Sequence, residues 1–182
     1  TVICTDKTGT LTENKMKISK VFLGLKREFE IEGAPYIPEY TIKENNTIVE
    51  FSKRQENFFL SSILCNDSLL YNDEGQWKLD GEPTEGAFIA LAQSQNYDEV
   101  EIRKSHKKIS EIPFTPEKKY MVTLHEIPNK KQLRASIKGA AERVVEKCTH
   151  YVNEKEKVVA LTPKLKQQYL ELIESQTSQG FR

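Results

Sequence analysis

Apolar and polar residues alternate in the first part of the chain, which is the two-residue repeat of a strand. The alternation predicts a strand at about residues 27–31, and the apolar Ile18, Val21 and Leu23 predict another at about residues 17–23. It stops between Pro35 and Asn46, where prolines and polar residues predict a loop. A short apolar run at residues 1–5 also predicts a buried strand, and it leads directly into a polar segment that contains a glycine.

Five later segments have the pattern or the first turn of a helix. The predicted helices lie at about residues 53–65, 83–92, 98–107, 140–148 and 163–179. In the first of them, Phe59/Ile63 and Leu60/Leu64 are pairs four residues apart, as on one face of a helix. Pro163 suits the first position of the last helix, and the Thr162 hydroxyl can cap it.

Strand-like segments are interleaved with these helices. They lie at about residues 76–79, 108–114, 120–127, 132–138 and 158–161. Turn-forming residues precede the first of these, and Pro128 to Lys131 predicts a hairpin turn between the third and the fourth. Runs of strands with helices between and after them favour an α+β fold, with a mainly antiparallel β-sheet flanked by helices.

The charge of the chain is balanced overall but divided along its length. The 182 residues carry 27 Lys and Arg against 27 Asp and Glu, which argues against a general nucleic-acid-binding protein. Residues 39–101 hold 4 basic and 13 acidic side chains, whereas residues 102–182 hold 17 and 9. Two interpretations stay open: two differently charged solvated faces, or a positive site for an anionic ligand in the second half.

Apolar runs and cysteines exclude further classes. No run approaches the ~20 apolar residues of a membrane-spanning helix, and no signal peptide opens the sequence. The three cysteines are widely spaced and form no Cys-x-x-Cys pair, which argues against a zinc site and against a disulfide framework. Reduced thiols in a cytosolic compartment are the simplest interpretation.

The segment from Asp6 to Thr12, Asp-Lys-Thr-Gly-Thr-Leu-Thr, carries the clearest chemistry. A carboxylate at the end of a buried strand, followed by a glycine-containing turn, lies beside free backbone N–H groups. Those groups, with Lys7 and the threonine hydroxyls, can bind phosphate oxygens while the Asp6 carboxylate attacks phosphorus. The alternative, an ordinary polar turn, fits this whole heptad poorly.

This heptad resembles the phosphorylation motif of the P-type cation-transporting ATPases. The resemblance implies that Asp6 accepts the γ-phosphoryl group of ATP, that Lys7 and Thr8 stabilise it, and that Asp6 and the Thr8 carbonyl bind Mg²⁺. Related haloacid-dehalogenase-type phosphatases have a second aspartate where this chain has Thr8. Without that acid, hydrolysis of a phosphoenzyme is expected to be slow, which suits a pump.

Four further segments resemble the nucleotide site of the same family. They are Gly81-Glu-Pro-Thr-Glu85, Phe114-Thr-Pro-Glu-Lys-Lys119, Lys138-Gly-Ala-Ala-Glu142 and Gly180-Phe-Arg182. The resemblance implies that Glu85 lies near the adenine amino group and that Phe114 stacks on the base. It also implies that Lys119 and Lys138 line the pocket, that the ligand approaches the backbone at Gly139, and that Arg182 reaches the phosphates.

Each of these residues also has a plainer explanation. Glu85 can complement a helix dipole, Phe114 can be a core aromatic, and Lys119 and Lys138 can be solvated charges. The chain departs from the family pattern at Pro116, where calcium pumps often have arginine, and at Ala141, where proline is usual. The order and spacing of the five segments together, rather than any one of them, favour the family.

The resemblance implies a domain organisation and a function. Residues 1–18 would be the first strand and motif of a haloacid-dehalogenase-like phosphorylation domain with a hinge, 19–179 a nucleotide-binding domain, and 180–182 a second hinge. The soluble, monomeric fragment would bind ATP weakly without sustained turnover, on the cytoplasmic side of an integral membrane pump, with calcium the favoured cation. Two alternatives stay open: a haloacid-dehalogenase-type phosphatase with a cap domain, and a non-catalytic nucleotide-binding module.

Overall fold

The computed structural model describes residues 13–52, 55–153 and 156–181. Within these ranges the chain forms eleven strands and five helices. The strands are β1 Lys20–Phe22, β2 Glu28–Glu32, β3 Thr41–Glu44, β4 Thr47–Ile48, β5 Leu69–Asp73, β6 Gln76–Asp80, β7 Lys108–Ile112, β8 Tyr120–Glu126, β9 Leu133–Gly139, β10 His150–Val152 and β11 Val158–Ala160. The helices are α1 Glu56–Leu64, α2 Pro83–Ser94, α3 Glu99–Ser105, α4 Ala141–Lys147 and α5 Pro163–Ser178. The predicted α+β fold with antiparallel strands flanked by helices is confirmed.

The first sheet has the order β1-β2-β3-β4, with every neighbouring pair antiparallel. The loop predicted from Pro35 to Asn46 is therefore wrong over its second half, where β3 lies. Asn45 and Asn46 have φ of 51° and 61°, which is the backbone of a tight two-residue hairpin turn between β3 and β4. This polar pair was predicted to be part of a loop, although asparagine accepts positive φ more readily than most residues do.

The sheet that carries the candidate site consists of β7, β8 and β9 in that order. Ile127 N–H donates to Gln132 O at 3.1 Å, which closes the hairpin between β8 and β9 as predicted. One face of β8 is buried through Met121, Thr123 and His125. The Thr123 hydroxyl donates to the carbonyl of Leu64, the last residue of α1, at 3.0 Å and so fixes the helix end against the strand.

Helix α1 forms the centre of the main core. Its predicted apolar face is confirmed, since Phe59, Leu60, Ile63 and Leu64 are all buried. The Phe59 ring stacks on Tyr97, with ring centroids 4.6 Å apart, and β1–β3 add Val21, Phe29, Ile31 and Ile42 to the same cluster. Burial of large apolar side chains contributes about 1.5–3 kcal/mol each, so this cluster dominates the stability of the fold.

The predicted starts of α3 and α5 are confirmed by side-chain caps. The Thr162 hydroxyl accepts from Leu165 N–H at 3.3 Å at the start of α5, and Pro163 occupies the first turn. Asp98 caps α3 by accepting from Val100 N–H at 2.9 Å and Glu101 N–H at 3.0 Å. These contacts satisfy N–H groups that have no partner inside the helix.

One strand was not predicted from the sequence, and some predictions lie outside the described residues. Strand β10, which pairs with β11, was not predicted, because the three-residue segment is too short for a clear two-residue repeat. The expected strand at residues 1–5 lies outside the described residues, and the domain boundaries at residues 18 and 180 stay predictions. Among the described residues, no helix combines the length and apolar character needed to cross a membrane.

Candidate nucleotide-binding site

The predicted lysines and glycine lie at one end of the β8–β9 ladder. Tyr120 pairs with Gly139, and Met121 pairs with Lys138, so Lys119 and Lys138 flank the same pair of residues on adjacent strands. Ala140 N–H donates to Lys119 O at 2.8 Å and extends the pairing by one residue. The antiparallel hairpin thus brings together segments that are about twenty residues apart in the sequence.

Phe114 lies in the loop between β7 and β8, near the same sheet end. Lys119 N–H donates to Thr115 O at 2.8 Å and closes this loop, and Lys119 has a φ of 58°, which turns the chain into β8. The Phe114 side chain is 58% exposed, so a core role is not the explanation for this aromatic residue. A large exposed ring in a closed loop is a suitable platform for a flat ligand.

Gly139 is required by the protein's own backbone. A Cβ atom at this position would lie 2.3 Å from Lys119 O and 2.5 Å from Tyr120 Cα. Both obstructing atoms belong to the backbone of β8 or its first flanking residue, so a side chain cannot be accommodated without moving the strand. This backbone contact is sufficient to explain the glycine. The close approach of a ligand to Gly139 stays a prediction.

Glu85 and Lys138 form an ion pair that joins the first turn of α2 to β9. Their side chains are only 14% and 21% exposed, respectively, so water screens the pair less than it screens a surface ion pair. Glu85 comes from the acidic segment 39–101 and Lys138 from the basic segment 102–182. The acidic and the basic segments of the chain therefore meet in an ion pair inside the candidate site.

The two oxygens of the Glu85 carboxylate have different surroundings. Oε2 accepts from Asp67 N–H at 3.0 Å, Ser68 N–H at 3.1 Å and the Ser68 hydroxyl at 3.0 Å. Among the described residues, the hydrogen-bond partner of Oε1 is Lys138 Nζ. Since a carboxylate oxygen has two lone-pair positions, Oε1 can accept a second donor whereas Oε2 is fully used.

This environment changes the proton affinity of Glu85. Burial raises the pKa of its carboxyl group, but hydrogen bonding and charge attraction from Lys138, with the bonds from Asp67 and Ser68, outweigh burial. The net result is a pKa below the ordinary value of 4.5. Glu85 is therefore ionised at neutral pH, so both of its oxygens act only as hydrogen-bond acceptors.

We expect the stability that Glu85 contributes to be lost in acid. Because its folded-state pKa is lowered, this contribution is fully present above the ordinary carboxyl pKa and disappears as the pH falls through the folded value. Lys138→Met should remove about 1–3 kcal/mol at neutral pH and raise the pKa of Glu85, because burial then acts without its counter-charge. Urea unfolding at a series of pH values, with a carboxyl ¹³C titration of Glu85, measures both effects.

Lys78→Met is the matched control for that experiment. Lys78 pairs with Asp73 across the β5–β6 hairpin, and both side chains are 49% exposed. An exposed pair contributes about 0–1 kcal/mol, so this variant should leave the acid transition nearly unchanged. Equal responses of the two variants would contradict a special role for the Glu85–Lys138 pair.

The structure thus brings together some of the predicted site residues. Glu85 contacts Lys138, and Lys119 and Gly139 lie beside it on the ladder. Asp6, Lys7, Thr8 and Arg182, the predicted catalytic, Mg²⁺-binding and hinge residues, lie outside the described residues. In the described part of the chain, no group of three or more His, Cys, Asp or Glu side chains is placed to hold a metal ion.

The segment Asn66–Ser68, which holds Glu85, was not among the predicted site residues. Asn66 donates to the backbone carbonyl of Glu85 at 2.9 Å, while Asp67 and Ser68 bind its carboxylate. The available signal was a run of three small polar residues directly after the apolar helix α1, a position where side chains often bond to nearby backbone. Such a run does not reveal a partner 17 to 19 residues away.

Two further features define the surroundings of the site. Lys147 of α4 lies over the Tyr120 ring, with Nζ 4.7 Å from the ring centroid, and adds positive charge near the sheet end. An apolar groove of about 610 Å³ lies between β1, α2 and α5. Among the described residues, Glu85, Phe114, Lys119, Lys138 and Gly139 do not line this groove, although Thr84 and Ala141 of the same segments do.

Comparison with known proteins identifies the family of this chain. The family described as "P-type ATPase, cytoplasmic domain N" matches residues 54–182. The chain is 30% identical to the cation-transporting ATPase pma1 of Synechocystis sp. over its whole length, which covers 20% of that protein. It is 32% identical, over 80% of its length, to a calcium-transporting ATPase of Bacillus subtilis, and covers 16% of it.

A mammalian relative gives the same result. The chain is 30% identical over its whole length to the calcium-transporting ATPase type 2C member 1 of Bos taurus, of which it covers 19%. The chain therefore spans about a fifth or less of the length of these relatives. The family match covers well over half of the chain, and it includes every predicted site residue from Glu85 onward. The chain belongs to the P-type ATPases, and residues 54–182 correspond to their cytoplasmic N domain.

Proposed function

We propose that this chain binds ATP through the end of the β8–β9 ladder and the first turn of α2. The observation that supports the proposal most directly is the exposed Phe114 ring near that sheet end, where Lys138 pairs with Glu85. An apolar ring, two cations and an ionised acceptor match the parts of a nucleoside triphosphate. A site for ATP also agrees with membership in the P-type ATPases.

The base is bound by Phe114 and Glu85. Phe114 stacks on adenine, and stacking contributes about 1–3 kcal/mol per base. Glu85 Oε1 accepts a hydrogen bond from the 6-amino group, because this oxygen keeps an unused lone-pair position beside Lys138. The lowered pKa keeps the acceptor charged, which strengthens such a bond.

The phosphate chain is attracted by the lysines. Lys119 is exposed at the start of β8, and Lys138 retains N–H donors beyond the one that it gives to Glu85. Arg182 is proposed to add a further cation from the second hinge. Nearby positive charge favours an anion at this surface, and Lys147 increases it.

In the parent protein, we propose that Asp6 takes up the γ-phosphoryl group. One carboxylate oxygen of Asp6 bonds to phosphorus as the bond to the ADP oxygen breaks, and ADP leaves. Mg²⁺, held by Asp6 and Thr8, would neutralise phosphate charge during this step. The motif from Asp6 to Thr12 supports this role, and Thr8 supplies no acid for rapid hydrolysis of the phosphoenzyme.

The parent is accordingly proposed to be an ATP-hydrolysing cation pump in a membrane, with this domain on the cytoplasmic side as a monomeric unit. Calcium is the favoured cation, because relatives from Bacillus subtilis and Bos taurus bear the name calcium-transporting ATPase. The free-standing phosphatase alternative is less favoured, because the whole chain aligns with transport ATPases.

Titration of the chain with ATP, ADP and AMP tests the binding proposal. We expect ¹⁵N chemical-shift changes centred on the loop at 113–119, on Lys138 and on the Asn66–Ser68 segment. Similar affinities for the three nucleotides would mean that base stacking dominates, whereas a fall from ATP to AMP would mean that the lysines contribute. No response at millimolar ATP would contradict the assignment.

Asp6→Asn separates binding from phosphoryl transfer. The variant chain should bind ATP as the wild type does, because adenine and triphosphate contacts come from other residues. The same change in the full-length parent should abolish a phosphoenzyme labelled from [γ-³²P]ATP. Persistent labelling of the variant parent would mean that another residue accepts the phosphoryl group. Phosphate release by the chain from a generic phosphoester would favour the phosphatase instead.

A further inference from the structure

We propose that Ser68 is a positioning residue for adenine recognition: it fixes Glu85 Oε2 so that Oε1 is presented to the base. This inference rests on the proposed function, and it concerns a residue outside the four segments that resemble the nucleotide site. Ser68 does not itself contact the ligand in this arrangement. Its effect on nucleotide selectivity passes through the Glu85 carboxylate.

Ser68 binds both ends of the turn that carries Glu85. Its hydroxyl donates to Glu85 Oε2 at 3.0 Å and accepts from Glu82 N–H at 2.8 Å. Its own N–H donates to Glu85 Oε2 at 3.1 Å. With an exposure of 1%, Ser68 makes these bonds where competing water is nearly absent, which increases their effect on side-chain position.

Ser68 is itself held by two further contacts. Arg103 of α3 donates to Ser68 O at 2.9 Å, and the Ser68 N–H that bonds to Glu85 is shared with the Asn66 side chain, which accepts from it at 3.0 Å. Gly81 packs so tightly that a Cβ there would lie 2.2 Å from Ser68 Oγ. The hydroxyl therefore occupies one place, defined by α3, by the turn before α2 and by its own segment.

Fixing one oxygen determines what the other can do. A glutamate side chain rotates readily about its last bond, and both of its oxygens then share the available donors. Three donors from Asp67 and Ser68 hold Oε2, so Lys138 and any ligand must use Oε1. A single fixed acceptor distinguishes a base with an amino group from a base that lacks it.

Ser68→Ala tests this inference through selectivity. The probes are ATP and purine riboside 5′-triphosphate, which lacks the 6-amino group but keeps the ring and the phosphates. We expect the wild type to prefer ATP about 10-fold, as for one hydrogen bond to a charged acceptor. Ser68→Ala should reduce the preference to about 3-fold or less, while its affinity for the analogue stays within about 2-fold.

A double-mutant cycle with Glu85→Gln shows whether Ser68 acts through Glu85. In the Glu85→Gln background, Ser68→Ala should no longer change the ATP preference, because the acceptor that it positions is already altered. Ser62→Ala is the matched control, since Ser62 is a buried serine whose hydroxyl donates to Phe58 O at 2.9 Å within α1. It should leave the preference unchanged.

The outcomes distinguish this inference from the proposed function. If the wild type fails to bind either triphosphate, the proposed function fails. The positioning role is overturned if the wild type prefers ATP and Ser68→Ala keeps that preference. It is also overturned if Ser68→Ala lowers the affinity for both triphosphates equally. Should Ser68→Ala not fold, Ser68→Cys keeps an unbranched side chain that is slightly larger and is a weaker donor, and the same loss of preference is expected of it.

Discussion

Phe114→Ala is expected to weaken ATP binding about 5- to 100-fold, which corresponds to the loss of one base-stacking platform. The same change should alter the free energy of unfolding by no more than about 0.5 kcal/mol, as for a surface substitution. The reason is that the ring is 58% exposed and contributes little buried area to the core. Isothermal titration calorimetry and urea unfolding of the same preparation measure the two quantities.

Two further variants control this experiment. Phe114→Trp keeps an aromatic face and should retain affinity within about 5-fold of the wild type, because stacking tolerates different rings. Ile112→Ala, on the neighbouring strand β7, removes another exposed apolar side chain and should not affect binding. If Ile112→Ala lowers the affinity for ATP as much as Phe114→Ala does, the effect is not specific to the aromatic ring.

Gly139→Ala is expected to lower both stability and ATP affinity. The new Cβ would lie 2.3 Å from Lys119 O, so β8 and β9 must separate locally. Such overpacking typically removes about 1–3 kcal/mol from the free energy of unfolding. Because Lys119 and Lys138 flank this point, their displacement should also weaken ATP binding about 10-fold, as small misplacements of positioned groups do. Thermal unfolding and calorimetry measure the two effects.

Gly86→Ala provides the comparison within the same site. A Cβ at Gly86 would lie 2.4 Å from Leu79 Cδ1, which is the end of a flexible side chain and can move. Alanine also favours the helix by up to about 1 kcal/mol relative to glycine. The stability of this variant should therefore remain within about 1 kcal/mol of the wild type. If Gly139→Ala has the stability and the ATP affinity of the wild type, the close contact between position 139 and the backbone at Lys119 is contradicted.

The fold was predicted best where the pattern repeats. Four apolar residues spaced along residues 59–64 predicted α1; all four are buried, and two of them, Phe59 and Ile63, belong to the main core cluster. Short elements were predicted poorly, because two or three residues do not establish a period. The hairpin at Asn45–Asn46 and strand β10 depend on backbone turn geometry and on pairing with a neighbouring strand.

The candidate site divides in a similar way. The motifs named Glu85, Phe114, Lys119 and Lys138 as a set, and the β8–β9 register explains why the lysines lie together. The motifs did not reveal that Glu85 pairs with Lys138 or that Ser68 holds its second oxygen. Those contacts join residues 53 and 17 positions apart, and no local pattern encodes them.

The sequence by itself determined the α+β class and the family, and it named the residue types that we propose to bind a base and phosphates, because periodicity and motif order are properties of neighbouring residues. Tertiary structure decided what each group is free to do. Packing of α2 against the segment after α1 occupies Glu85 Oε2 and leaves capacity at Oε1, and strand pairing leaves no room for a side chain at Gly139. Both outcomes depend on which atoms already have partners, and only the folded arrangement of distant segments determines that.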